Sequence, residues 1–341
     1  MKNLNLIIEK RDKNGGKETY FSRLISELDS LGIRYKVITS IFPKFLPSWI
    51  RLVLFNFYLC SIKKDEVYFS VERLKCADIY RAGDGVHKKF LMIEKKSVLN
   101  PLHYFLRKIE KHCFENAKFI IANSNMVKAD ILQHYPSQEE KIHVIYNGIN
   151  FLKSDFKNSY QTLSVSYPVK NKKILLFVGS GFKRKGLDSF LEIVSHLKDY
   201  PVLAFVLGKD KNLEAYKQLS EALGIEKKVF FVGSVENTDD YYTISDMVIL
   251  PTKYDPFSNV VLEAMSHKNV VFTTVDNGAH EVLPVEHVMT NENQSKILNE
   301  IKCLLKDKIQ LELFKKINFE NSKKFSIERN VKQTIKLINL L

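Results

Sequence analysis

Cysteine is scarce in this chain of 341 residues. The four thiols, at 60, 76, 113 and 303, include no CxxC pair. That excludes a zinc-ribbon ligand set and favours reduced, packed thiols of a cytoplasmic protein over a disulfide framework. No apolar run reaches the ~18 residues that cross a bilayer. The opening MKNLNLIIEKRDK has too short an apolar stretch for a secretory leader, and charge follows it at once. Zinc-finger, helix-turn-helix and RNA-stacking signatures are missing, which sets nucleic acid last among partners. Long internal repeats and low-complexity segments are missing too.

What the sequence has is positive charge and apolar bulk. Lysine and arginine number 52 against 39 acidic residues, a net +13, and 45% of residues are hydrophobic. Residues 1–150 hold 25 basic and 16 acidic residues (+9), and residues 151–341 hold 27 and 23 (+4). The basic surplus therefore lies in the first half, where it suits an anionic membrane surface or a phosphorylated substrate. A chain this long is comfortable as two domains.

Strand and helix patterns alternate almost throughout. Strands are predicted at 4–9, 35–39, 66–70, 78–81, 119–122 and 143–146, with a helix from Gly15-Gly16 to about Leu31. Residues 151–170 lose periodicity and gain Ser, Lys and Asn, as a domain junction would. The alternation then restarts, with strands at 174–178, 202–207, 229–232, 247–250 and 269–273. Two such runs predict two Rossmann-like, doubly wound α/β domains facing across a cleft, with ligands at the carboxyl ends of strands. The expected division is 1–155, 156–325, and a C-terminal helix, 326–341, packing back on the first domain.

Two stretches carry chemistry. In VGSGFKRKGLDSF, 178–190, the glycines 179, 181 and 186 enclose Lys183, Arg184 and Lys185 at the end of an apolar strand. Cations and helix N–H groups at a strand-to-helix turn suit a diphosphate. In LPTKYDPFSNVVLEAM, 250–265, a strand ends at Pro251 and Ser258 or Asn259 can cap the following helix. Asp255 stands in the entering loop and Glu263 on the helix, eight positions apart. Carboxylates accept hydrogen bonds from paired hydroxyls, as on a sugar or ribose.

The pairing of GSGFKRKGLD with YDPFSNVVLEAM resembles the retaining, nucleotide-sugar-dependent glycosyltransferases of family 4, which have the GT-B fold. NGGKE near the start, ANSNMVK at 122–128, IYNGIN at 145–150 and NGAHEVL at 277–283 resemble that family's segments in the same order. Within the family the chain most resembles the lipopolysaccharide core α-glucosyltransferases. DIYRAGDGVHKKF, 78–90, is similar to their segment with an essential aspartate, and Asp84 stands at that place. Two departures are visible. Ser180 replaces the arginine that commonly follows the first glycine, and the usual Glu-x7-Glu is Asp255-x7-Glu263.

The resemblance implies roles. Glu263 would bind ribose hydroxyls and Asp255 the donor sugar. The N–H groups of Ser258, Asn259, Val260 and Val261 would take the phosphates, with Phe257 also on the donor side, and Gly15, Gly16 and Gly179 would let backbone approach the diphosphate. Arg184 and Lys185 would stabilise the leaving group in place of a metal, since no Asp-x-Asp motif occurs. Asp84 would stabilise developing positive charge on the sugar and orient the acceptor. The expected donor is a nucleotide sugar, UDP-glucose first, with no separate cofactor and no metal. The expected acceptor is a phosphorylated or lipid-linked core saccharide. The competing readings are a sugar-nucleotide epimerase or hydrolase, and a non-catalytic binding subunit. His87 and His280 read as surface or core residues rather than substrate contacts. SWIRLVLFNFYLCSIKK, 48–64, is either a buried crossover helix or an interfacial helix dipping Trp49, Phe55, Phe57 and Tyr58 into a membrane surface.

Overall fold

The computed structural model describes residues 3–10, 16–97, 100–151 and 154–341, and Gly15 lies outside them. The chain divides into two units. Residues 1–150 and 326–341 form the first, and residues 151–325 the second.

The first unit is a parallel sheet in the order β2-β1-β3-β4-β5-β6. Its strands are β1 (Leu4–Ile7), β2 (Tyr35–Ile38), β3 (Val67–Ser70), β4 (Ile79–Arg81), β5 (Phe119–Ala122) and β6 (Ile142–Val144). Helices α1 (Gly16–Ser30), α2 (Ser48–Ile62), α3 (His87–Ile93), α4 (Pro101–Asn116) and α5 (Asn125–His134) connect them. The strands read as near-continuous apolar runs because helices cover both faces of a parallel sheet. Tyr20, Phe21, Leu24 and Leu28 of α1 pack on one face, and Phe114 of α4 on the other.

The second unit opens with α6 (Phe156–Ser164), inside the stretch expected to be an aperiodic junction. The Asp155 carboxylate caps it by accepting the Asn158 N–H, and Leu163 and Ser159 are buried. One short amphipathic helix among polar residues was too faint a signal to separate from a linker. Strands β7 (Lys173–Val178), β8 (Val202–Leu207), β9 (Val229–Gly233), β10 (Met247–Leu250), β11 (Val270–Thr274) and β12 (Val288–Met289) follow. They form a parallel sheet ordered β12-β11-β10-β7-β8-β9. Between them lie α7 (Phe182–Lys185), α8 (Leu187–Ser195), α9 (Leu213–Ala222), α10 (Asp239–Ile244) and α11 (Asn259–Ser266). Helices α12 (Gln294–Lys306) and α13 (Lys308–Ser322) close the unit. The last helix, α14 (Ile327–Ile338), belongs to the first unit, where Ile327, Val331, Leu337 and Ile338 join the α1 core.

One expectation is corrected. Cys60, on α2, and Cys76, after β3, form a disulfide with Cα atoms 5.5 Å apart. The Lys63 Nζ reaches the Cys76 carbonyl oxygen at 2.7 Å, so the end of α2 and this loop lie together. Crossover topology, not spacing, brings the two thiols into reach. Cys113 is a buried free thiol and Cys303 an exposed one. Residues 48–62 form the crossover helix α2 and most of its aromatics are engaged. Phe55 and Leu59 are core, Trp49 stacks on Phe105 at 5.3 Å, and Tyr58 meets the edge of Phe42. Of the four aromatics, Phe57 alone is largely exposed. Among the described residues no helix is long and apolar enough to cross a membrane.

Candidate functional site

In the second unit the glycine stretch is one helical turn, α7, between two left-handed glycines, Gly181 (φ 74°) and Gly186 (φ 77°). A Cβ at Gly186 would also collide with the Pro251 carbonyl oxygen, so only glycine lets α7 pack against the end of β10. Gly179 serves a second need. A Cβ there would stand 3.1–3.3 Å from the Lys185 side chain, whose aliphatic stem runs over the glycine. That path carries the Lys185 ammonium inward, where it is buried.

The ammonium meets Asp255. Lys185 Nζ donates to Asp255 Oδ2 at 2.6 Å and lies 3.3 Å from Ser258 Oγ. Arg184 Nη1 donates to the Tyr254 carbonyl oxygen at 2.9 Å and stands 3.5 Å from the same carboxylate oxygen. Burial pushes the Asp255 carboxyl up, but Lys185, Arg184 and the Phe257 N–H outweigh it and hold it below the usual carboxylate range. Lys183, the third cation of the turn, is exposed.

Several backbone donors expected to face a ligand are engaged within the protein. Gly179 N donates to Leu207 O, Gly181 N to Lys209 O, and Phe182 N to Asp210 Oδ2 at 2.7 Å. Phe257 N donates to Asp255 Oδ1 at 3.2 Å, Ser258 N to Asn277 Oδ1 at 3.1 Å, and Val261 N to Ser258 O. Ser258 sits at the N-cap of α11, yet its hydroxyl makes no cap bond and faces Lys185 instead. Val260 packs against the core, and Asn259 opens the helix. Glu263 is half-buried, and its Oε2 accepts the Tyr242 hydroxyl at 3.3 Å. Asp210, Tyr242 and the fully buried Asn277 are positions that sequence reading missed. Asn277 lies in the NGAHEVL segment, which was the available signal. His280 Nδ1 lies 2.9 Å from the Asn277 carbonyl oxygen, as a local turn residue.

The first unit gathers a different cluster. Asp84 is exposed in the turn between β4 and α3, with Lys17 Nζ at 3.8 Å and Arg73 Nη1 at 4.0 Å. Lys17 also donates to Glu72 Oε2 at 2.9 Å, and Glu72 Oε1 accepts the Glu9 N–H. Burial raises the Glu72 carboxyl above its ordinary value, against the pull of Lys17. Burial opposes charge on Lys17, but Asp84 and Glu72 more than compensate and raise its pKa. His87 is buried against His103, Nε2 to Nδ1 at 3.2 Å. Burial, with Arg73, His103 and Arg107 nearby, lowers its pKa to about 3, so the ring is neutral. Gly16 opens α1 with open space where a Cβ would stand. Among the described residues, no group of three or more His, Cys, Asp or Glu is placed to hold a metal ion.

The comparisons with known proteins follow the same division. Residues 161–321 match the family model described as "Glycosyl transferases group 1", and residues 85–151 the model "Glycosyltransferase Family 4". The lipopolysaccharide glucosyltransferase WaaG of Escherichia coli is 26% identical over 217 residues, 60% of this chain and 58% of that protein. An uncharacterised glycosyltransferase of Methanocaldococcus jannaschii is 28% identical over 174 residues, 49% of this chain and 45% of that protein. The matches thus span about half the length of these relatives. By fold, the crystal structure of WaaG, a glycosyltransferase involved in lipopolysaccharide biosynthesis, superposes with TM-score 0.81 at 19% identity. That covers 98% of this chain and 99% of that one. Anabaena HepE, in complex with UDP and glucose, superposes with TM-score 0.75 at 17% identity over the whole of both chains.

Proposed function

The chain belongs to the family-4 glycosyltransferases of GT-B fold, near the lipopolysaccharide core glucosyltransferases, and we propose that it transfers a hexose from a nucleotide sugar to a core saccharide with retained configuration. UDP-glucose is the proposed donor. The observation that carries the reading is the cluster of Arg184, Lys185 and Asp255 beside the start of α11. Two cations share one carboxylate, which leaves one net positive charge beside a buried Lys185–Asp255 pair. A departing diphosphate is the ligand that such a charge stabilises, because charge grows on the leaving oxygen as the glycosidic bond breaks. Asp255 keeps Lys185 aimed and in place. Its contact with the donor sugar therefore shares a carboxylate already engaged at both oxygens, Oδ2 by the two cations and Oδ1 by the Phe257 N–H. Glu263, steadied by Tyr242, is the proposed ribose acceptor. Gly16 and the opening of α11 are the proposed close approaches to phosphate, and no metal is required. Asp84, an exposed carboxylate flanked by two cations, is the proposed stabiliser of positive charge on the sugar.

Labelled UDP-glucose incubated with and without a core oligosaccharide, in excess EDTA, tests this reading. Transfer that depends on acceptor and survives EDTA supports it. Donor consumed without acceptor favours an epimerase or hydrolase. Donor bound but never consumed favours a binding subunit. Rescue by manganese would overturn metal independence.

A peripheral contact with the anionic inner face of the cytoplasmic membrane belongs to the same proposal. Its support is the basic surplus of the first half and the solvent-facing Ile41, Phe45 and Phe57, of which Phe45 is 85% exposed.

A further inference from the structure

The turn that carries Asp84 is gripped by a buried ion pair outside every motif. Arg73 follows β3, and Glu110 lies on α4 with no exposed surface. Arg73 Nε donates to Glu110 Oε1 at 2.7 Å. Its Nη2 donates to the Gly85 carbonyl oxygen at 2.9 Å, and its Nη1 stands 4.0 Å from the Asp84 carboxylate. The same Glu110 oxygen accepts the His87 backbone N–H at 2.8 Å, while the other accepts the Tyr135 hydroxyl at 3.3 Å. On the near side of the turn, Asn123 Nδ2 donates to the Gly83 carbonyl oxygen and Gly85 N to Ala82 O, both at 3.1 Å. Backbone groups one and three residues beyond Asp84 therefore hang on one ion pair.

A buried ion pair is a poor source of net stability, because desolvation offsets the attraction. Its geometry is better matched to orientation. A guanidinium has five donors in a rigid fork, and here three branches reach a fixed anion, a backbone carbonyl and the site of Asp84. We propose that Arg73 and Glu110 are positioning residues that hold the turn 82–87, and with it the Asp84 carboxylate, in the geometry for transfer. The inference rests on the role given to Asp84 above. Misplacing a reacting group by about 1 Å costs on the order of 10²-fold in rate, so even partial loosening should be measurable.

The test uses the full chain with Glu110→Gln, Arg73→Lys and Asp84→Asn, alone and combined. Asp78→Asn is the control, since Asp78 holds Lys63 at 2.8 Å and the Tyr68 N–H in the same unit. Turnover is measured with UDP-glucose and a core oligosaccharide, and amide hydrogen exchange at Gly85 and His87. Glu110→Gln and Arg73→Lys should each lower kcat by about tenfold or more with the donor KM nearly unchanged. Exchange at both amides should rise. Asp78→Asn should lower the melting temperature and keep kcat. In the Asp84→Asn background, Glu110→Gln should cost less than about twofold further, because both changes act through one carboxylate. Unchanged exchange at Gly85 and His87, or a full multiplicative loss in that background, overturns the proposal. If the unmodified chain transfers no sugar, the functional reading fails, and the exchange data still decide whether the pair holds the turn.

Discussion

The two units solve the same problem, fixing charge at the carboxyl end of a parallel sheet, in opposite ways. In the second, the charged groups come from short stretches at the ends of β7 and β10, and Arg184 and Lys185 converge on Asp255. In the first, Lys17, Glu72, Arg73, Asp84 and Glu110 come from four separate segments and alternate in sign. The second cluster carries surplus positive charge, which suits a ligand that arrives as an anion. The first sets two cations among three carboxylates, one net negative charge, and holds one carboxylate at the surface, which suits placing a negative charge rather than attracting an anion.

Removing the cations of the second unit should have the largest effect. Arg184→Ala and Lys185→Ala should each slow turnover by about 10²-fold or more, with helical content unchanged by circular dichroism. Near-full activity in both would erase the contrast between the units. Lys185→Ala should also lower the melting temperature more than Arg184→Ala, because it strips the closest partner from a buried carboxylate.

Glu263→Ala should follow, weakening UDP-glucose affinity about tenfold by titration calorimetry, on the scale of a lost charged hydrogen bond. Unaltered affinity with a lower melting temperature would make Glu263 a structural partner of Tyr242.

Each unit also buries one imidazole, which yields a smaller effect on stability. Burial, with Arg73, His103 and Arg107, lowers His87 to about 3. Burial lowers His287 to about 4 between the rings of Phe272 and Phe314. An unfolded histidine titrates near 6.5, so below that pH the unfolded chain binds protons that the folded chain refuses. Stability should therefore fall as pH drops from about 6.5 towards 4. Asp255 acts in the same direction but in a lower pH window. Its carboxyl is already depressed when folded, so its contribution is lost only below the ordinary carboxylate range. His287→Phe should flatten the decline between pH 6.5 and 4 in urea titrations. An unchanged slope would refute the assignment to His287.

The smallest expected effect is association with anionic vesicles. The full chain should float with phosphatidylglycerol liposomes at low salt and dissociate at high salt, with Phe45→Ser and Phe57→Ser reducing the bound fraction. No flotation at low salt would leave the basic surface to the acceptor alone.

Most of the architecture was legible from the chain because apolar period and glycine placement are local properties. Strands such as Phe119–Ala122, Val202–Leu207 and Met247–Leu250 were bounded by their own residues. Gly181 and Gly186 were readable as turn residues because only glycine adopts their backbone freely. The eight-residue interval from Asp255 to Glu263 announced a loop and a helix for the same reason. Side-chain partnership is not local, and there the reading ran out. That Lys185 crosses Gly179 to reach Asp255, that Asp210 takes the Phe182 N–H, and that Asn277 takes the Ser258 N–H all depend on β8, β10 and β11 lying near β7. The Cys60–Cys76 bond and the Arg73–Glu110 clamp depend likewise on where α2 and α4 cross the first sheet. Period and turn chemistry are written in neighbouring residues. Which charge meets which is decided only when strand order brings distant segments within the few ångströms over which hydrogen bonds and buried charges act.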